Sequence, residues 1–436
     1  MLSIIKDLNK IIWNFPMLII LLGTHIFFTF RFGLIQKKVF KAVKLSVTPE
    51  AGGKGDVSSF TSLATTLAAT LGTGNIIGVS TAVAMGGPGA IFWCWITGIL
   101  GMATTYAECY LGIIFRQKTK DGTYLGGPMY VIENGLKKKG LAITYAFGTL
   151  LASFGVGCTT QSNSITVTTT RLWNWSPYLI GFIVAITAGL VILGGVKKIG
   201  KVCTKLVPSM GAFYLLGCII LLIINYNYII DALLLILQSA FAPMALAGGF
   251  VGSTLQSAAR YGIARGLFTN EAGLGSMAIA AASARTNNPA RQALISMTAT
   301  FWDTVVMCAI TGLVIVTNIL KLPSSVQGYS AAELTTAAFS QIPYIGKTML
   351  GISLIAFAIA TLLGWSYFGE KATDYLFGKK GIKYYQIGYI TMIFIGSIMS
   401  LDLVWELSDL INAFMAFPNL IAILLLHKMI QLPNKL

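Results

Sequence analysis

Stretches of about twenty apolar residues, almost free of charge, recur along this chain, and no other feature limits its fold so strongly. A backbone in hydrocarbon must satisfy its own polar groups, so such stretches read as membrane-spanning helices. Composition agrees. Of the 436 residues 55% are hydrophobic and 11% charged, and the mean hydropathy of +0.75 exceeds what a soluble core of this size requires. The expected fold is an all-α membrane protein. Eleven spans can be counted, at 11–30, 59–84, 88–115, 141–169, 178–194, 206–224, 236–259, 298–319, 348–369, 384–400 and 410–427. The connections are too short for a soluble domain, so residues 1–436 are expected to form a single transmembrane unit. The first stretch has no small-x-small cleavage site and precedes a basic cluster, so it reads as a retained helix rather than a signal peptide. Cys94, Cys109, Cys158, Cys203, Cys218 and Cys308 show no CxxC spacing and read as packing thiols.

The net charge of +16 would suit a nucleic-acid partner, but its distribution does not. Of the 31 Lys and Arg residues, 26 fall in clusters at Arg31–Lys54, Arg116–Lys139, Lys197–Lys205, Arg260–Arg291, Lys371–Lys383 and Lys428–Lys435. Only Lys6, Lys10, Arg171, Lys321 and Lys347 lie in the alternate connections. By the positive-inside rule this alternation puts the N-terminus outside and the C-terminus in the cytoplasm. Short loops favour a prokaryotic plasma membrane.

Spans two to eleven divide into two sets of five, residues 59–224 and 236–427. An odd number of helices inverts the second set, which is the topology of an inverted repeat. The first helix of each set is unusually rich in small residues. One carries Gly72, Gly74 and Gly78 at mid-membrane; the other carries Pro243, Gly248, Gly249 and Gly252. A broken helix frees N–H groups and carbonyls that hydrocarbon cannot satisfy, so paired breaks point to a polar ligand between them. Free N–H ends suit a carboxylate, and free carbonyls suit a cation or an ammonium group. Glycine pairs such as Gly74 and Gly78 also serve helix packing, but their equivalent positions in the two halves favour a site.

Gly72-Thr73-Gly74-Asn75-Ile76-Ile77-Gly78, Gly86-Gly87-Pro88-Gly89-Ala90-Ile91-Phe92-Trp93-Cys94-Trp95 and Asn270-Glu271-Ala272-Gly273-Leu274-Gly275-Ser276 resemble the motifs of the alanine or glycine:cation symporter family, with Cys94 at a position where Met is common. The resemblance implies one peripheral N-terminal helix (11–30) and a LeuT-like core of 5+5 helices with two broken ones. It implies that the Thr73 and Gly74 N–H groups receive a substrate carboxylate and that Asn75 adds a side-chain amide. It also implies that sodium is held by the carbonyls of Ala68 and Leu71, completed from the ninth span by Ala358 and Thr361. Hard oxygen ligands of this kind avoid the cost of a charged side chain at a helix centre, about 2.5 to 3.5 kcal/mol. Gln161 is a further candidate ligand. Gly248, Gly249 and Phe250 are expected to line the site from the second broken helix, and Trp365 to close the pocket. Glu108 and Asp303 read as structural partners of basic groups near the inner ends of their spans, and Glu271 falls in a connection, 260–296, on the basic side.

A coupling cation makes energetic sense. A zwitterion gains nothing from the membrane potential, whereas a sodium ion moving with it gains about 2.3 kcal/mol per 100 mV. Sodium is thus the expected coupling ion, with no other cofactor, and the expected substrate is a small neutral amino acid such as alanine, glycine or serine. Proton coupling, a glutamine-sized substrate and a channel stay open at this stage. An enzyme does not fit, because the only histidines, His25 and His427, lie in the first and last spans with no HExxH or Ser-His-Asp grouping. Oligomeric state cannot be read from these residues.

Overall fold

The computed structural model describes residues 2–13, 16–50, 52–241, 255–326, 329–399 and 401–433, and these are almost entirely helical. Small residues let the helices approach closely. The principal ones are α1 (Pro16–Arg31), α2 (Ser59–Thr70), α3 (Ile77–Gly86), α4 (Gly89–Ile114), α5 (Lys139–Phe154), α6 (Thr160–Trp173), α7 (Pro177–Ile192), α8 (Gly195–Ile224), α9 (Ile229–Phe241), α10 (Leu255–Asn270), α11 (Ser276–Ala282), α12 (Pro289–Thr300), α13 (Ala309–Lys321), α14 (Gly346–Phe377), α15 (Lys379–Ile398) and α16 (Leu401–Leu425). Wide π-helical turns at Gly155–Thr159 and Phe301–Cys308 join α5 to α6 and α12 to α13.

Local signals set the ends. The Ser58 hydroxyl caps α2 by accepting from the Thr61 N–H at 3.1 Å. Asn288 caps α12 through the Arg291 N–H at 3.2 Å, with Pro289 at the first helical position. Gly87, at a φ of 71°, turns the chain between α3 and α4.

Five helical runs among the described residues are long and apolar enough to cross a bilayer: α4, α5–α6, α8, α12–α13 and α14. Two bent pairs raise the number to seven, namely α1 with Ile35–Ser46 at 67° and α2 with Thr73–Gly86 at 60°. This corrects the count of eleven. Helix α7 is apolar but has only 16 residues, about 24 Å at 1.5 Å per residue. In α15 the apolar residues are diluted by Lys383, Gln386 and three tyrosines. The stretch 236–259 runs into 242–254, outside the described residues.

A second correction concerns the connection assigned to 260–296. Its first part, α10 and α11, runs along the whole of α4 in the same direction. Gly262 packs on the Ala90 carbonyl and Gly266 on Cys94; Ala272 Cβ would meet a Cβ on Gly101 at 3.1 Å, and Ala278 one on Gly112 at 3.0 Å. Arg260 and Arg265 therefore lie toward the Gly87 end of α4, away from Arg285 and Arg291. Apolar counting misses this segment because α10 carries Gln256, Arg260, Arg265, Thr269 and Asn270, the last two sheltered in its buried second half.

At the other end of α4, the chain entering α2 is zipped to the chain leaving α11. Val57 pairs with Ala284 in a parallel bridge. The Arg116 guanidinium donates to four carbonyls, those of Lys54 (2.8 Å), Ala282 (3.1 Å), Ala284 (2.8 Å) and Thr286 (2.9 Å), and lies over the Tyr124 ring. Helix α1 lies outside along α4, tied to it by His25 Nδ1 and Thr104 Oγ1 at 2.7 Å.

Candidate functional site

Between α2 and α3 the helical hydrogen-bond ladder stops. The Leu71 N–H still reaches Leu67 O at 2.8 Å, but the Gly72 N–H goes instead to Asn75 Oδ1 at 2.9 Å. Those of Thr73 and Gly74 have no partner among the described residues. The Asn75 N–H turns back to Gly72 O at 3.3 Å. The carbonyls of Ala68 to Leu71 thus lose the donors that a continuous helix would bring them. Thr73, Gly74 and Asn75 are all buried away from bulk solvent.

Asn75 holds this shape. Its Nδ2 donates to Asp303 Oδ1 at 2.7 Å and to Asp303 O at 3.1 Å, while its Oδ1 takes the Gly72 N–H. Both donors of the amide are engaged, so the geometry makes Asn75 a brace of the break. Asp303 is fully buried and also accepts from Thr304 Oγ1 at 2.7 Å. Packing leaves no room for larger residues. A Cβ on Gly74 would fall 2.6 Å from Thr269 Cγ2, and one on Gly72 would fall 2.7 Å from Thr361 Oγ1.

The cation candidates Leu71 and Thr361 meet directly, with Thr361 Oγ1 donating to Leu71 O at 3.3 Å and to Phe357 O at 3.1 Å. Ala68 and Ala358, both buried, lie one turn earlier on α2 and α14. Gly364 sets the crossing of these helices, since a Cβ there would sit 2.5 Å from Ala69 N. Gln161 faces the same point. Its Nε2 donates to Val156 O at 3.1 Å, and its buried, unpartnered Oε1 lies 3.5 Å from where a Gly72 Cβ would be. The Thr70 and Thr73 hydroxyls are also buried without partners. Unpaired acceptors and donors are thus concentrated around Gly72, where a zwitterion and a cation could satisfy them.

Trp365 is fully buried; its Cβ packs on Gly157 and its Nε1–H donates to Glu271 Oε1 at 3.0 Å. Gly248, Gly249 and Phe250 lie outside the described residues. Instead, a second interruption is found at Glu271–Gly275, between α10 and α11, just after Phe268 and Thr269, which pack on Gly74. Glu271, Gly273 and Gly275 have φ values of 53°, 95° and 80°, which no helix accommodates. This loop is pinned from several helices. Asn419 Nδ2 donates to Gly273 O at 2.9 Å and to Glu108 Oε1 at 2.6 Å, the Tyr145 hydroxyl donates to Leu274 O at 3.0 Å, and Ser276 Oγ donates to Glu271 Oε2. The expected pairing of Glu108 and Asp303 with basic groups is not found; among the described residues neither makes an ion pair. Glu271 is buried rather than part of an exposed connection. Two glycines within the Asn270–Ser276 motif were the available sequence sign of a second break.

Beside Ile76 a cavity of about 150 Å³ runs between α6 and α14, past Ser164 and Leu354, to the Arg171–Glu333 ion pair.

Residues 1–433 match the family described as the Sodium:alanine symporter family. The chain is 46% identical over 433 residues to an uncharacterized transporter of Haemophilus influenzae, covering 98% of this chain and 94% of the relative. It is 44% identical over 440 residues to the sodium/alanine symporter AgcS of Methanococcus maripaludis, covering 99% and 96%. Among solved structures it resembles MhsT in complex with L-phenylalanine, with a TM-score of 0.61 at 16% identity, covering 86% of this chain and 90% of that one. This last likeness concerns the fold alone and places the chain among LeuT-like structures.

Proposed function

The chain belongs to the sodium:alanine symporter family, and on that premise we propose that it carries alanine, or a neutral amino acid of similar size, into the cell with sodium by alternating access around the Gly72 break. It is a sodium-coupled transporter of a small neutral amino acid and not an enzyme. The carrying observation is the cluster of unsatisfied groups at the break: the Thr73 and Gly74 N–H groups on one side and Gln161 Oε1 on the other. A carboxylate on the former and an ammonium on the latter would pair them. Sodium would sit against the carbonyls of Ala68 and Leu71, with Ala358 O and Thr361 Oγ1 opposite. Trp365 forms a wall of the substrate pocket. The small residues at the break, Gly72 and Gly74, and the Gln161 Oε1 that faces Gly72 suit a compact substrate.

In this reading α10 and α11 form the second broken helix. Helix α1 is peripheral, and the two interrupted runs α2–α3 and α10–α11 head the two halves of a LeuT-like inverted repeat. Helices shorter than the hydrocarbon thickness cross where neighbours and locally thinned lipid cover their ends. The N-terminus lies outside and the C-terminus inside a prokaryotic plasma membrane. Moving Arg260 and Arg265 to the outer half still leaves most of the 31 basic residues on the cytoplasmic side. Substrate and ion act on one broken helix, so each stabilises the arrangement that binds the other.

The test is radiolabelled alanine uptake into proteoliposomes under an inward sodium gradient, with potassium as control. Saturable, sodium-dependent uptake is expected. Gln161→Ala should raise the KM for alanine, and Thr361→Ala should raise the sodium concentration for half-maximal uptake. Non-saturating flux would indicate a channel, and uptake driven by a proton gradient without sodium would refute the coupling ion.

A further inference from the structure

Glu271 is a buried carboxylate that neither the sodium cage nor the substrate contacts use. One oxygen accepts from Ser276 Oγ and the other from the Trp365 Nε1–H at 3.0 Å. No cation pairs with it among the described residues, although desolvating a carboxylate is costly. A polar acceptor of this cost at the end of an indole fixes that ring in one orientation.

That ring lies where the site is built. Trp365 follows Gly364, whose backbone touches Ala69, and lies one turn beyond Thr361, which touches Leu71 and Gly72. Its Cβ and Cγ rest on Gly157, one turn before Gln161. At its far edge, Glu271 is two residues from Thr269, whose methyl packs on Gly74. The indole therefore bridges from the wide turn between α5 and α6, past the first break, to the second. Gly157 lets the ring base lie against that helix and Phe368 meets the ring edge-on at 5.5 Å, while the Nε1–H···Oε1 bond is the polar, directional contact on the ring.

We propose that Glu271 is a positioning residue: through the Trp365 Nε1–H it holds the indole as a wall of the amino-acid site, and thereby sets substrate affinity. This rests on the reading of Trp365 as a wall of that site. The residue acts through Trp365 and does not itself touch the substrate. It also links the second break to α14, the helix whose Thr361 meets Leu71 at the first break.

The test measures KM and Vmax for alanine uptake in proteoliposomes for W365F, W365A, E271A, E271Q and the double variant E271A/W365F, each normalised to folded protein. W365F keeps an aromatic ring but removes the N–H together with the pyrrole half of the indole. The expected results are an alanine KM raised about tenfold in E271A and in W365F, the scale of one charge-assisted hydrogen bond. Vmax should change less than threefold. The double variant should be no worse than the worse single, because both remove one bond. E271Q, which keeps an acceptor oxygen, should recover a KM within about threefold of the parent. Effects of E271A and W365F that multiply, or an E271A defect confined to Vmax, would overturn the proposal. If E271A does not fold, a parental KM in W365F overturns it equally. A parental KM in W365A has a different meaning: it removes Trp365 from the substrate site, and this role with it.

Discussion

Replacing Gly72 with alanine tests the cation reading at its narrowest point. The φ of −129° at Gly72 is extended, so an L side chain meets no backbone strain there. The obstacle is steric. The new methyl would sit 2.7 Å from Thr361 Oγ1, and an ordinary contact needs at least 3.4 Å, so Thr361 must retreat by about 0.7 Å. It can do so by rotating about χ1 or by carrying α14 away from α2. Either movement takes Oγ1 from Leu71 O, already 3.3 Å distant. A sodium ion between them would lose one oxygen ligand, a contact to a charged species of about 1.5 to 3 kcal/mol. At about 1.4 kcal/mol per decade, half-maximal sodium should rise roughly 10- to 150-fold. The assay is alanine uptake against sodium concentration at fixed ionic strength. Gly211→Ala is the control, since its Cβ would meet nothing within 4 Å. An unchanged sodium dependence in folded Gly72→Ala protein would refute the placement of sodium beside Thr361.

Three other outcomes follow from the same geometry. Asn75→Ala leaves the Gly72 N–H and the Asp303 carboxylate without their shared partner, so a loss of about 2 to 4 kcal/mol of stability is expected, read as a lower unfolding temperature in detergent. If Asn75→Ala instead unfolds like the parent and changes only alanine KM, the brace assignment is wrong and the amide serves the ligand. Arg116→Lys cannot reproduce a planar fork that reaches four carbonyls, so it should loosen the zipper between Val57 and Ala284; faster amide exchange at 54–57 and 282–286 would report it, and unchanged exchange would count against the clasp. Gly364→Ala overlaps Ala69 N at 2.5 Å and should cost about 1 to 3 kcal/mol by forcing α14 from α2, with sodium affinity falling alongside stability; retention of both would mean that the two helices separate without disturbing the cage.

The environment and the broken helix α2–α3 were legible in the amino-acid order. Hydrocarbon imposes its demand residue by residue, so apolar runs, the bias of Arg and Lys among loops, and Gly72–Gly74 at mid-span carry their meaning without any knowledge of neighbours. Leu71 and Thr361 could be brought together only through the family resemblance, and the fold places them in contact. What the order of residues could not reveal is which polar segments are sheltered by other helices. Residues 260–282 look like part of a connection because they hold Arg260, Arg265 and Asn270, yet they run along α4. The same holds for side-chain partners. Asn75 resembles a ligand until Asp303, 228 residues later, occupies its amide. Glu271 resembles a loop acid until Trp365, 94 residues away, arrives at its carboxylate. Solvent acts on each residue locally and leaves its trace in composition, whereas a hydrogen-bond partner is set by where distant helices cross, and only the tertiary structure decides that.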